Sequence, residues 1–104
     1  MDEHHLKLLR ELTKEPGISQ RELARRLGIS LGKVNYLLKA LINKGYVKIK
    51  RFKNSNNKLA YMYILTPRGI SQKLELTYKF LKRKSEEYER LKREIEELKN
   101  DLET

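Results

Sequence analysis

The chain has 104 residues, with 24 Lys and Arg against 14 Asp and Glu and a formal net charge of +10. This describes one small domain with a modest core, room for one appendage, and a polyanionic partner, nucleic acid ahead of membrane. The absence of cysteine excludes disulfides, thiolate metal sites and a Cys nucleophile; no apolar run approaches the roughly 18 residues of a membrane span and no signal peptide opens the chain, so a cytosolic protein is expected.

Residues 2–14 read as a first helix, with Asp2 or Glu3 suiting its positive end and Leu6, Leu9 and Leu12 recurring on one side. Pro16-Gly17 stops it. Ser19 and Glu22 form an S-x-x-E capping box that opens a second helix. Gly28 follows as a turn residue, where positive φ is wanted. Ser30 is the expected N-cap of a third helix running to about Lys44, with Gly45 as its left-handed stop.

Between Ser19 and Tyr46 the spacing is that of a helix-turn-helix. Ala24 is small enough for the later helix to cross close above it, and Val34 and Leu37 face inward. Leu23, Leu27, Ile29, Leu38 and Leu41 complete the apolar face. An ordinary αα-hairpin with a Gly turn has a similar pattern, but the joint spacing and the basic strand pair that follows favour the DNA-reading version.

Two strand-like runs come next, Tyr46 to Phe52 and Leu59 to Leu65. Val47 and Ile49 are expected on one face of the first, Lys48 and Lys50 on the other. Tyr61 and Tyr63 alternate with Met62 and Ile64, as in a hairpin covering a core. The polar KNSNNK between the runs suits a hairpin tip at Asn56-Asn57. A helix-turn-helix followed by a basic hairpin is a winged helix, mainly α with one small β-hairpin. Thr66-Pro67 then opens a last helix of roughly 35 residues, about 50 Å long, which must project or pair. The expected division is a DNA-binding unit over 1–69 and a dimerising helix over 70–104.

The charge distribution supports this division. Residues 46–69 carry Lys48, Lys50, Arg51, Lys53, Lys58 and Arg68 and no acid, whereas residues 85–104 carry eight acids against four bases. Candidate DNA contacts on the third helix are Ser30, Gly32, Lys33, Asn35, Tyr36 and Lys39. Asn35 suits bidentate pairing with adenine, and Lys33 or Lys39 a guanine or phosphate. Leu31 lies near this face, to touch a base methyl or to pack on the preceding helix. Ser19, Gln20 and Arg21 open the second helix at the phosphate backbone, and Arg25 and Arg26 are either phosphate contacts or a solvated face. In the wing, Arg51, Lys53, Lys58, Asn54, Asn56 and Asn57 are the candidates for phosphates or the minor groove. Adjacent His4 and His5 make a poor metal pair, and neither a catalytic constellation nor a Gly-rich phosphate loop is present, so no cofactor and no enzyme activity are expected.

The last helix carries a heptad. Leu74, Leu81, Tyr88, Ile95 and Leu102 are spaced by sevens, and Leu91 and Leu98 fill the second seam position downstream. Thr77 and Lys84 break that position upstream, where the helix is expected to pack on the globular part. Glu87, Glu94 and Asp101 at g and Lys92 and Lys99 at e favour a parallel, homodimeric coil over 88–102, in which Leu98→Cys crosslinks to itself. The alternative is a solitary helix laced by Glu86–Arg90 and Glu89–Arg93 pairs.

The runs Gln20-x-x-Leu23-Ala24-x-x-Leu27-Gly28-Ile29-Ser30, Val34-x-x-Leu37-Leu38-x-x-Leu41, Gly45-Tyr46-Val47 and Leu65-Thr66-Pro67-Arg68-Gly69 resemble the MarR family of bacterial winged-helix regulators over roughly residues 5–75. The chain is similar also to short MarR-like regulators found beside exopolysaccharide genes. The resemblance implies a homodimer binding a palindromic operator on double-stranded DNA, usually as a repressor. The family's wing usually carries Asp-x-Arg, which KNSNNK lacks, and the extra terminal helices that build the usual dimer and ligand pocket are missing here. Effector sensing is therefore not carried over, and the effector is unknown. An architectural or RNA-binding winged helix, or a protein-interaction adaptor, are the alternative functions.

Overall fold

A computed structural model describes residues 1–104. Helix α1 spans Glu3–Lys14. Asp2 caps it, its carboxylate accepting the His5 backbone N–H at 3.2 Å while His5 Nδ1 accepts the Asp2 N–H at 3.1 Å. Leu6, Leu8, Leu9 and Leu12 are buried. Leu8 departs from the expected every-third stripe because α1 is covered on two sides, by the helix-turn-helix and by the last helix.

Helices α2 (Gln20–Leu27) and α3 (Leu31–Asn43) are joined through Gly28, whose φ of +66° is the left-handed conformation that a Cβ would oppose. Ser19 caps α2 and Ser30 caps α3, each hydroxyl accepting the backbone N–H three residues on. Only half of the expected Ser19 box forms. The Glu22 carboxylate turns instead to Arg25 and Arg26, where charge-assisted bonds outweigh a neutral backbone N–H. Gly45, at φ +77°, ends the α3 region.

Strands β1 (Val47–Lys53) and β2 (Leu59–Leu65) pair antiparallel, with Val47 opposite Leu65 and Lys53 opposite Leu59. The tip holds Asn56-Asn57 as expected, in a loop over 55–57 closed by the Asn54 N–H on Lys58 O at 2.9 Å. The Asn57 N–H donates to Asn54 O at 2.9 Å, and Asn57 alone has positive φ, +59°. The Asn54 side-chain oxygen accepts from the N–H groups of both Asn56 and Lys58. Ile49 is 45 % exposed, while Tyr63, opposite it on the same face, packs against the core. The root is held by the Tyr63 N–H on Pro16 O at 3.1 Å.

Helix α4 (Pro67–Glu103) has 37 residues. Thr66 caps it, accepting from the Gly69 N–H and donating its hydroxyl to Gly45 O at 2.5 Å. Gly69 is buried against the Tyr46 carbonyl, so closely that a Cβ would stand 1.8 Å from that oxygen. Leu76 and Phe80 join one core cluster with the α1 leucines, Ile18, Leu23, Val34, Leu37, Leu38, Leu41 and Val47. Beyond Phe80 the helix runs on alone, giving the molecule extents of 71 × 26 × 23 Å. The Glu86–Arg90 and Glu89–Arg93 pairs do not form; the ion pair on this helix is Lys84–Glu87, at 3.3 Å. No helix is long and apolar enough to cross a membrane.

Candidate nucleic-acid interface

Burial of Val34, Leu37, Leu38 and Leu41 fixes the rotation of α3 about its axis. The opposite face is therefore determined, and it presents Gly32, Lys33, Tyr36 and Lys39 to solvent. Tyr36 is 67 % exposed, and the Lys33 ammonium lies 5.6 Å from its ring centroid. Nothing in the fold requires an aromatic ring there. Ser30 is exposed, but its hydroxyl is engaged in capping. A Cβ on Gly32 would meet only Ser30 Oγ, at 4.0 Å, so the fold itself does not demand glycine there. Between Glu22 and Glu75 the chain contains no acid, so this face and the wing share one unopposed positive field.

Asn35 is half-buried rather than free. Its Nδ2 donates to Gln20 Oε1 at 3.3 Å, and Gln20 Nε2 donates to the Tyr63 hydroxyl at 3.0 Å. This chain ties β2, α2 and α3 together at one point. It engages one of the two Asn35 amide protons, leaving its carbonyl oxygen and the second proton available for a bidentate partner. Gln20 is at the same time a bracket, its amide linking Asn35 to Tyr63 within the protein. Sequence reading missed Tyr63 as part of this site, since the contact joins residues 43 positions apart. Ser19, Gln20, Arg21, Leu31, Gly32 and Asn35 together line a shallow groove between the starts of α2 and α3. Leu31 does not pack away on α2; it is 43 % exposed in that groove.

Arg25 and Arg26 are neither free phosphate ligands nor simply solvated. Arg26 pairs with Glu11 at 3.1 Å, Glu15 at 2.8 Å and Glu22 at 3.0 Å, locking α2 onto α1. Arg25 pairs with Glu22 alone. Hydrogen bonds from Arg25 and then Arg26 hold the Glu22 carboxyl at a pKa of about 2. The three carboxylates in turn raise that of Arg26. With its donors turned toward α1, Arg26 leaves the positive face to α3, Arg21 and the wing.

In the wing, Arg51, Lys53, Asn56 and Lys58 are exposed. The Arg51 guanidinium lies 5.8 Å from the Tyr61 ring across the ladder. Asn54 shapes the tip, its side-chain oxygen accepting from two N–H groups, while its amide NH2 donates to nothing within the protein.

The expected dimerisation residues lie along α4. Leu74, Leu81, Tyr88, Leu91, Ile95, Leu98 and Leu102 are all exposed, from 44 % at Ile95 to 89 % at Leu102. A second groove lies between α1 and α4, floored by Leu6, Ile70, Leu74 and Leu81 and edged by Lys7, Arg10, Lys73 and Lys84. No group of three or more His, Cys, Asp and Glu residues is placed to hold a metal.

Residues 1–48 match the family model for winged helix-turn-helix DNA-binding domains. No curated protein matches the chain in sequence. Among solved structures, the chain is similar to the PcaV transcriptional regulator of Streptomyces coelicolor in complex with its natural ligand. The two are 18 % identical with a TM-score of 0.63, over 79 % of this chain and 57 % of that one. A MarR/EmrR family transcriptional regulator from Acinetobacter sp. ADP1 is 20 % identical with a TM-score of 0.62, over 82 % and 58 % of the two chains. A mutant of S. aureus MepR is 21 % identical with a TM-score of 0.65, over 98 % and 80 %. The chain thus spans little more than half the length of the first two.

Proposed function

We propose that this chain, which has the winged helix-turn-helix fold of the MarR-family regulators, is a sequence-specific DNA-binding transcription regulator. In this reading it is a cytosolic homodimer without catalysis that represses from a palindromic operator. The observation that carries the reading is the outer face of α3. Gly32, Lys33, Tyr36 and Lys39 are exposed beside a cationic wing, with no acid between Glu22 and Glu75 to oppose a phosphate backbone.

The parts divide by task. α3 enters the major groove, where Asn35, held by Gln20, reads an adenine and Lys33 or Lys39 reaches guanine or phosphate. Leu31 and Gly32 allow close approach at the start of the helix. Ser19 and Arg21 meet the backbone from α2, and Arg51, Lys53, Asn56 and Lys58 follow the adjacent groove. The exposed stripe of α4 joins two such units, so that two half-sites are held together.

The test is Asn35→Ala on a site selected from random DNA. Specific binding is expected to fall by about 1–3 kcal/mol while binding to unrelated DNA holds. An unchanged ratio between the two DNAs would remove Asn35 from the reading face and favour an architectural role.

A further inference from the structure

The exposed apolar residues of α4 do not begin at the tail. Ile70, Leu74 and Leu81 are 59, 58 and 61 % exposed, and they continue the line of Tyr88, Leu91, Ile95, Leu98 and Leu102. Their spacing of three, four or seven residues, with Thr77 and Lys84 filling the two wider gaps, makes one stripe along a single helix face. From residue 70 to 102 it runs about 48 Å. Charge divides this stripe in two. Its upstream half lies in the groove between α1 and α4, whose rim carries Lys7, Arg10, Lys73 and Lys84 against the single acid Glu3. Its downstream half belongs to a segment with eight acids and four bases.

We propose that the stripe is the contact with a second copy of this chain, and that the two α4 helices pair antiparallel along its whole length. Each acidic tail then lies in the partner's basic groove. The proposal rests on the homodimer reading above and adds the orientation and extent of the seam.

The register follows from the stripe. Leu74 faces the partner's Leu98, and Leu81 faces the partner's Leu91. Ile70 meets the partner's Leu102 at the end. The two polar seam positions are matched as well: Thr77 packs on the partner's Ile95, and the Lys84 ammonium reaches the ring of the partner's Tyr88. On the flank, Lys73 meets the partner's Asp101. A parallel pair extended as far upstream would set Lys84 against the partner's Lys84 and draw the cationic rims together, which is unfavourable in both places.

Area decides in the same direction. A buried leucine-sized side chain removes about 100 Å² from water. The five tail residues alone would bury ~1,000 Å² over both chains, below the ~1,200–2,000 Å² of stable specific interfaces. All eight bury ~1,600 Å², at the centre of that range. The e and g charges of the tail favour a parallel coil only while the tail is matched with itself. In the antiparallel register Asp101 meets the partner's Lys73, Glu94 lies opposite the partner's Phe80, and only Glu87 at the centre faces its own copy.

The experiment co-expresses Leu74→Cys and Leu98→Cys chains and oxidises the purified protein with diamide. Both positions are exposed, so neither change disturbs the core. The expected product is a disulfide-linked dimer on a non-reducing gel that forms only when the two variants are co-expressed, while Leu98→Cys alone and Leu74→Cys alone each stay unlinked. Efficient linkage of Leu98→Cys to itself would establish the parallel coil and overturn the proposal. Absence of both products in a protein that sediments as a dimer would place the contact off this stripe and overturn it too. A wild-type chain that sediments as a monomer at tens of micromolar would instead overturn the homodimer reading on which it rests.

Discussion

Gly69→Ala is expected to destabilise the protein by about 2–6 kcal/mol, although alanine is the better helix former. The added Cβ would stand 1.8 Å from the Tyr46 carbonyl oxygen and 2.8 Å from its carbon. Both sides of that contact are backbone, so no rotamer change relieves it. The first turn of α4 must withdraw by roughly 1.5 Å to restore van der Waals separation. Withdrawal strains two hydrogen bonds, from the Thr66 N–H to Tyr46 O at 3.0 Å and from the Thr66 hydroxyl to Gly45 O at 2.5 Å. Each is worth about 0.5–1.5 kcal/mol. Overpacking, with Leu76 and Phe80 pulled from their seats, adds about 1–3 kcal/mol. A domain of this size has about 5–15 kcal/mol in all, so the change takes a large share. Urea unfolding followed by circular dichroism measures it. A loss below about 0.5 kcal/mol, the range of an ordinary surface change, would refute the close approach of α4 to the root of the wing.

Gly32→Ala should act in the opposite sense on stability. With open space around its Cβ, the free protein should gain up to about 1 kcal/mol in unfolding assays, while operator affinity falls if the backbone of α3 lies against DNA; equal affinity would separate Gly32 from the interface. Lys53→Ala and Lys58→Ala should weaken binding to all sequences alike and reduce the slope of log K against log salt by about one unit each; a change confined to one sequence would mean base reading by the wing. Glu22→Gln should lower stability at neutral pH by releasing Arg25 and removing one of the three carboxylates that hold Arg26. The Glu22 carboxyl titrates near 2 in the folded chain instead of 4.5, so its contribution is complete above pH 4.5 and fades as pH falls toward 2. Wild type and variant should therefore converge in acid urea titrations, and a gap that keeps its neutral-pH size at pH 2 would refute the assignment.

What was legible in the sequence is what local chemistry dictates. Ser30 as a cap, Gly28 and Gly45 as left-handed stops, and Thr66-Pro67 as a helix start are short-range requirements, and each stands where its neighbours demanded it. The inward positions of α3 follow from a 3.6-residue period and are buried as expected. Alternation placed Val47 and Ile49 on one face of β1 but could not say how far that face is covered: Val47 is buried and Ile49 is not. The bracket of Tyr63, Gln20 and Asn35 and the lock of Arg26 on Glu11 were not legible, since they join polar residues far apart in the chain and leave no periodic trace. Glu22 shows the same limit within four residues: the S-x-x-E pattern was present, but two nearby guanidinium groups compete for the carboxylate. The charge contrast between residues 46–69 and the tail could be read directly. The basic groove was not legible, because it joins Lys7 and Arg10 of α1 to Lys73 and Lys84 of α4 across the fold.

In the proposed function the outer face of α3 reads a DNA sequence twice, once from each half of a homodimer. Selection of bound fragments from a random duplex library by the wild-type protein tests it most directly. Enrichment of one two-fold symmetric sequence is expected, bound about 10³-fold or more tightly than unrelated DNA at the same salt. Recovery of fragments with no common sequence, bound with the affinity of bulk DNA, would contradict it.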